Sequence, residues 1–247
     1  MWEWRKNIQS PFNVYIDTAI TKAVNDNKKK VAFMSESGGH YEEAHIWLRE
    51  HYDLFDFIFT FDTETLKLPN AIRIIYGGIW GETENRPKTK NISFCCSNKR
   101  MIPSHLERIK LADMIHDKVD MKGNYLSTPA TTADIYEDYR YSIVFECENT
   151  PYYFTEKLLN AFVRRCIPIN YGCTDLASFG FDTSAVLQCN TIQDIVDLVN
   201  SDFDWEGFYN SHLDAIEYNR KLAFKYCRFE DRLIYDYPEV IQELCRS

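Results

Sequence analysis

One stretch of the chain leaves little choice of fold. Tyr141 to Glu146 is an apolar run that ends on a carboxylate, and Cys147-Glu148-Asn149-Thr150-Pro151-Tyr152-Tyr153-Phe154 continues it as a polar and aromatic loop. A helix is predicted over 155–165, opening on Thr155, Glu156 and Lys157. Ile167-Pro168-Ile169-Asn170-Tyr171 then reads as a second strand, ended by Gly172. Strand, helix and strand in this order imply two parallel strands joined by a right-handed crossover. Ligands of such sheets gather at the carboxyl edge. The run also sets fixed charges beside the unpaired amides of a helix start, which is how a protein holds a phosphorylated group.

The same alternation extends along the chain. Lys30-Val31-Ala32-Phe33-Met34 reads as a buried strand, and 42–51 as a helix with Ala44, Trp47, Leu48 and His51 on one face and Glu42-Glu43 in its first turn. Phe55 to Phe61 and Ala71 to Tyr76 are predicted strands, and Gly77-Gly78 breaks the pattern. The polar, aperiodic segment 81–90 is read as an interdomain linker, with a long surface loop as the alternative. Asn91 to Cys96 is a strand. Ser104 with Glu107 three residues on has the form of a capping box, predicting a helix from 104 to about Asp117. Lys118 to Met121 is a short strand, 134–140 a helix, and 191–200 and 206–244 mainly helical. This order predicts an α/β fold of parallel sheets covered by helices on both faces, in two domains, 1–85 and 86–247.

Composition narrows the function. The net charge of -9 argues against gripping nucleic acid or an anionic membrane by bulk electrostatics, though a local basic site could still hold a small anion. The 8 cysteines form no C-x-x-C pair, and several lie in apolar runs. They are read as small buried hydrophobes in a reducing compartment, with a disulfide framework as the alternative. The 6 histidines lack zinc-ligand spacing. Asp202-Phe203-Asp204 has the form of an Asp-x-Asp metal pair but lies late, between helical segments, so no metal site is expected. No window approaches the ~18 apolar residues of a membrane span, and Met1 to Lys6 lacks the apolar core of a secretory leader. The expected location is cytoplasmic.

Two strand-to-helix units carry the chemistry. If the strands at 92–96 and 141–146 are parallel members of one sheet, both following helices open at one edge, with Arg108 in the opening turns of the first and Glu156 and Lys157 opening the second. Two helix dipoles, a guanidinium and an ammonium suit a diphosphate. Glu156 could accept hydrogen bonds from ribose hydroxyls, and Tyr152, Tyr153 and Phe154 could offer a flat wall to a base. Spacing alone leaves Arg108 open as a surface charge and Glu156 as an ordinary first-turn acid.

Phe145-Glu146 through Tyr153-Phe154-Thr155-Glu156-Lys157-Leu158, then Cys166 to Gly172, resembles the signature of the alpha-1,3-fucosyltransferases, glycosyltransferase family ten. The resemblance covers roughly residues 30–180, with its specific part in the later half. It implies a GT-B-like architecture: two Rossmann-like domains whose parallel sheets face across a cleft, here with a short N-terminal acceptor-side domain. It implies an inverting, metal-independent transferase of carbohydrate biosynthesis or protein glycosylation, with GDP-fucose as donor and a glycan as acceptor and no cofactor. Residue by residue, Lys157 matches the lysine on the donor phosphates, Glu156 the carboxylate on the ribose, Tyr153 the loop tyrosine beside the nucleotide, and Glu146 the acid ending the strand. Arg108 resembles the diphosphate-binding arginine. The family's Asn after Phe-Glu is Cys147 here, and Asn149 is counted among the donor-binding candidates. Phe33-Met34-Ser35-Glu36-Ser37 resembles the segment that carries the general base, which makes Glu36 the catalytic candidate. The same fold with another nucleotide sugar, or a non-catalytic nucleotide- or glycan-binding relative, are the alternative readings.

Overall fold

The computed structural model describes residues 11–74, 76–127 and 129–246, so the Met1 to Lys6 reading lies outside the described residues. The chain divides into two compact units, Met1–Ile74 with Glu230–Ser247, and Ile75–Phe229. The division thus falls before Gly77-Gly78 rather than after residue 85, and the last segment belongs to the first unit.

The first unit is built on a four-stranded sheet in the order β1-β2-β3-β4. The strands are β1 (Phe12–Ile16), β2 (Lys29–Phe33), β3 (Phe57–Thr60) and β4 (Ala71–Arg73), all parallel. Helix α1 (Gly38–Glu50) packs on it through Ala44 and Leu48, joining Ile20, Ala32, Met34, Phe55 and Ile58 in one apolar cluster. β1 was not among the sequence expectations, although Phe-Asn-Val-Tyr-Ile alternates with period two. It is one of the two edge strands of its sheet, its side chains stay partly exposed, and no continuous apolar run betrays it.

The second unit carries a five-stranded parallel sheet in the order β6-β5-β7-β8-β9. The chain runs β5 (Lys90–Cys95), α2 (Pro103–Ile115), β6 (Asp120–Lys122), α3 (Thr132–Tyr136), β7 (Tyr139–Phe145), α4 (Glu156–Val163), β8 (Ile167–Tyr171), β9 (Leu187–Gln188), α5 (Ile192–Asn200), α6 (Trp205–Ser211) and α7 (Leu213–Ala223). From β5 the chain crosses outward to β6, and from β7 outward the other way to β8. Strand order therefore reverses between the neighbours β5 and β7, and such a switch point opens a crevice at their carboxyl ends.

The central strand β7 is covered on both faces. Tyr141, Ile143 and Phe145 face a core shared with Ile109, Leu111, Ala112 and Ile115 of α2 and Ile195 of α5. Val144 faces the opposite core with Leu158, Leu159 and Phe162 of α4 and Ile135 of α3. Each fully buried side chain of this size stabilises the fold by about 1.5–3 kcal/mol, so α4 is held by tertiary packing more than by propensity.

Three expectations are corrected here. The helix predicted over 134–140 ends at Tyr136, because Tyr139 already pairs with Lys90 and Arg140 lies within β7. Ser104 does not cap α2. Pro103, which has no N–H to leave unpaired, takes the first helical position after an extended Ile102, and Ser104 is second. The polar segment 81–90 is not a free linker. Arg164 donates to the carbonyls of Trp80 and Glu82, Glu84 donates its amide to Glu137, and Lys88 donates to the carbonyls of Tyr136, Glu137 and Arg164. These bonds strap the segment to the second unit.

At the chain's end come α8 (Phe229–Asp236) and α9 (Pro238–Cys245). Tyr237 donates its hydroxyl to the carbonyl of Arg73 and packs its ring near Phe59, tying this segment to the first sheet. No helix among the described residues is long and apolar enough to cross a membrane.

Candidate functional site

The switch point is where the sequence-predicted cations lie. β5 leads into α2, which carries Arg108, and β7 leads into α4, which opens on Glu156 and Lys157. Cys95 ends β5, and Cys147 follows β7. Burial pushes both thiols above their ordinary value, and the positive charges of Arg108 and Lys157 act against that push at both sulfurs. Both positive charges thus act on thiols at the ends of the neighbouring strands β5 and β7.

Lys157 is placed by a buried acid. Glu146, 0% exposed, accepts hydrogen bonds from the Thr155 amide at 2.8 Å and the Thr155 hydroxyl at 2.8 Å, and pairs with the Lys157 ammonium at 2.8 Å. Lys157 also donates to the Thr155 hydroxyl at 2.9 Å. Burial opposes the Lys157 charge, but the carboxylates of Glu146 and Glu156 outweigh it and hold the ammonium pKa above the usual lysine range. Gly172 makes room for this acid: a Cβ there would lie 2.7 Å from Glu146 Cγ. The Glu146 carboxylate is thus spent inside the protein. It fixes Thr155 and Lys157, and it is not itself a surface on which a ligand could rest.

Arg108 differs. It is buried to 8% exposure, and one Nη donates to the Ser97 hydroxyl at 2.7 Å. Its buried Nε has no partner, and no carboxylate pairs with it among the described residues. A buried guanidinium without an anion is costly. It is the strongest sign of an anion site in this unit.

Glu156 is half-buried in the first turn of α4, with Oε1 3.8 Å from the Lys157 ammonium. Asn149 donates its amide to the Asn190 carbonyl at 2.9 Å and so ties the β7–α4 loop to the turn before α5. Of the three aromatic residues expected to offer a flat wall, Tyr152 is half-buried and lies edge-on to Phe179, while the other two are buried. Tyr153 is 3% exposed, and Phe154 sits in the core edge-on to Phe179 and Phe181. Their large apolar area is worth more inside the core than at a loop surface. Asp204 of the Asp-x-Asp pair caps α6, accepting from the Gly207 amide at 2.9 Å.

Gly77 was read only as a pattern break. Its φ is +127°, and a Cβ there would lie 2.8 Å from the Glu156 nitrogen and 2.9 Å from the Thr155 carbonyl carbon. Backbone packs on backbone at the start of α4, which requires glycine. Asn160 joins the same support. It donates to the Glu156 carbonyl, and its side-chain oxygen accepts from the Trp80 amide and from Arg164. The Gly-Gly pair was the available signal. Asn160 had none, since it stands unmarked in an apolar helix.

In the first unit, Glu36 lies in the loop between β2 and α1, with its side chain 39% exposed and 3.8 Å from the His40 ring nitrogen Nδ1. Its backbone is held from both sides. Its amide donates to Asp17 at 3.1 Å, and its carbonyl accepts from His45 Nε2 at 3.0 Å. Asp17 was missed with β1, which it follows.

Neither a family model nor a curated protein matches the sequence. Solved structures do match. An alpha1,3-fucosyltransferase aligns with a TM-score of 0.57 at 16% identity over 96% of this chain and 79% of its own. An alpha1,3-fucosyltransferase with GDP-fucose gives 0.55 at 17% over 79% of this chain and 68% of that one. TarM gives 0.58 at 15% over 96% of this chain and 55% of its own. At such identities the likeness is one of fold, and the chain has a GT-B-like fold of two Rossmann-like units.

Proposed function

We propose that this chain is an inverting, metal-independent glycosyltransferase that moves fucose from GDP-fucose to a glycan hydroxyl. The observation that carries the reading is the buried Arg108 guanidinium, with its unpartnered Nε, at the switch point that also holds Lys157. Cleavage of a glycosyl phosphate builds negative charge on the leaving diphosphate. Donors held in place before the reaction stabilise that charge without reorganising. Arg108 and Lys157 take the diphosphate, and the half-buried Glu156 accepts from the ribose. Glu146 and Asn149 shape the loop and helix start that present them, and Tyr153 supports the same loop from within.

The acceptor oxygen attacks the anomeric carbon as its bond to phosphate oxygen breaks. The hydroxyl proton passes to the Glu36 carboxylate, and GDP leaves with the bonding electrons. A single displacement inverts the anomeric centre.

The test is donor profiling of the purified chain by mass spectrometry, with GDP-fucose, GDP-mannose and UDP-sugars, before and after exhaustive chelation. GDP release from GDP-fucose that survives chelation is expected, and Glu36→Ala should abolish it while sparing GDP affinity. Release from a UDP-sugar alone, activity restored only by manganese, or GDP binding without turnover of any donor would overturn the reading.

A further inference from the structure

We infer that Asp17 is a positioning residue for Glu36, and the inference rests on the base role proposed above. Asp17 directly follows β1, the strand that pairs with β2. Its carboxylate reaches the loop at the end of β2, where one oxygen accepts from the Ser35 amide at 2.8 Å and the Glu36 amide at 3.1 Å. The other accepts from the Ser35 hydroxyl at 2.7 Å. The carboxylate therefore binds both backbone donors at the position of the base and the hydroxyl beside them.

The residue adopts an unfavourable backbone to do so. Its φ is +49°, in the left-handed region that non-glycine residues seldom occupy. Strain of this kind persists only where surrounding bonds over-determine it. His45 closes the clamp from the other side. Its Nε2 lies 3.0 Å from the Glu36 carbonyl, and a carbonyl only accepts, so Nε2 carries the proton. Ser35 is 4% exposed, His45 3% and Asp17 half-buried, while the Glu36 side chain remains 39% exposed. Main chain held on both sides with the carboxylate turned outward is what a base needs, since its reach is then set by χ angles alone.

The experiment compares Asp17→Gly, Asp17→Asn and Glu36→Ala in the full chain. The readouts are GDP released from GDP-fucose, GDP affinity, and hydrogen exchange at the Ser35 and Glu36 amides. Glycine removes the carboxylate and relieves the φ penalty, so folding is kept. Asp17→Gly is expected to lower kcat about a hundredfold, the cost of a small misplacement, with KM and GDP affinity unchanged and faster exchange at both amides. Asparagine tolerates the same φ and offers one oxygen to both amides, so Asp17→Asn should recover kcat to within about fivefold of wild type, one hydrogen bond's worth. Full kcat in Asp17→Gly beside an inactive Glu36→Ala would overturn the positioning role alone. Equal loss in both Asp17 variants, following their melting temperatures, would make the residue merely structural and overturn it too. Unchanged turnover in Glu36→Ala, or none in wild type, would defeat the base reading and this inference with it.

Discussion

Glu146 holds Lys157 at 2.8 Å from the end of the central strand, with the acid wholly buried and the lysine side chain 33% exposed. The asymmetry of this pair matters. The acid has no access to water and must be paired, whereas the lysine keeps a path to solvent or to a ligand. Lys157 is therefore both an anion-binding candidate and the counter-ion of a structural acid.

Replacing the acid should cost stability first. Glu146→Gln is expected to destabilise the fold by about 3 kcal/mol, near the lower limit for breaking a buried pair because water can reach the freed lysine. Urea unfolding measures it, and a loss below about 1 kcal/mol would class the pair with surface ion pairs.

Arg108 should matter more for the nucleotide than for the fold. Its charge has no carboxylate among the described residues, so Arg108→Ala should weaken GDP binding by about 1.5–3 kcal/mol, the value of a charged hydrogen bond. Arg108→Lys should not restore it, because an ammonium lacks the planar fork. Calorimetry with GDP decides; unchanged affinity in both variants would place the anion site elsewhere.

A side chain at position 77 should disturb the start of α4. Gly77→Ala meets the Glu156 nitrogen at 2.8 Å and a φ of +127° together. Each such strain costs about 1–3 kcal/mol. A lower melting temperature and weaker GDP binding are expected together, since Glu156 and Lys157 sit on the displaced turn. An unshifted melting temperature would show that the loop yields easily.

Acid should loosen the first unit through Asp26. The Asn13 amide, the Tyr15 hydroxyl and the Lys28 backbone amide all donate to this carboxylate and lower its pKa from 3.8 to about 2. A carboxyl with a lowered folded pKa contributes stability that is complete above the unfolded value and lost as pH falls through the folded one. The contribution should therefore disappear between about pH 4 and pH 2. Asp26→Asn should flatten that part of the stability–pH curve, and an identical slope in the variant would count against the linkage.

Much of this protein could be read from its residues in order. Apolar runs and helical patterns located β2, β5, β7, α4, β8 and α5, because buried parallel strands are continuous apolar runs. The motif at 145–157 picked out Glu156 and Lys157, and the strand-to-helix unit after residue 96 picked out Arg108, because fixed charges beside unpaired helix amides suit a phosphorylated ligand. Tertiary structure alone decided the rest. It turned Glu146 inward to anchor Lys157 and buried Tyr153 and Phe154 in the core. It strapped 81–90 to the second unit and brought Asp17 to the loop of Glu36. These outcomes depend on which neighbours compete for each polar group and each apolar area, and residues far apart in sequence supply those neighbours.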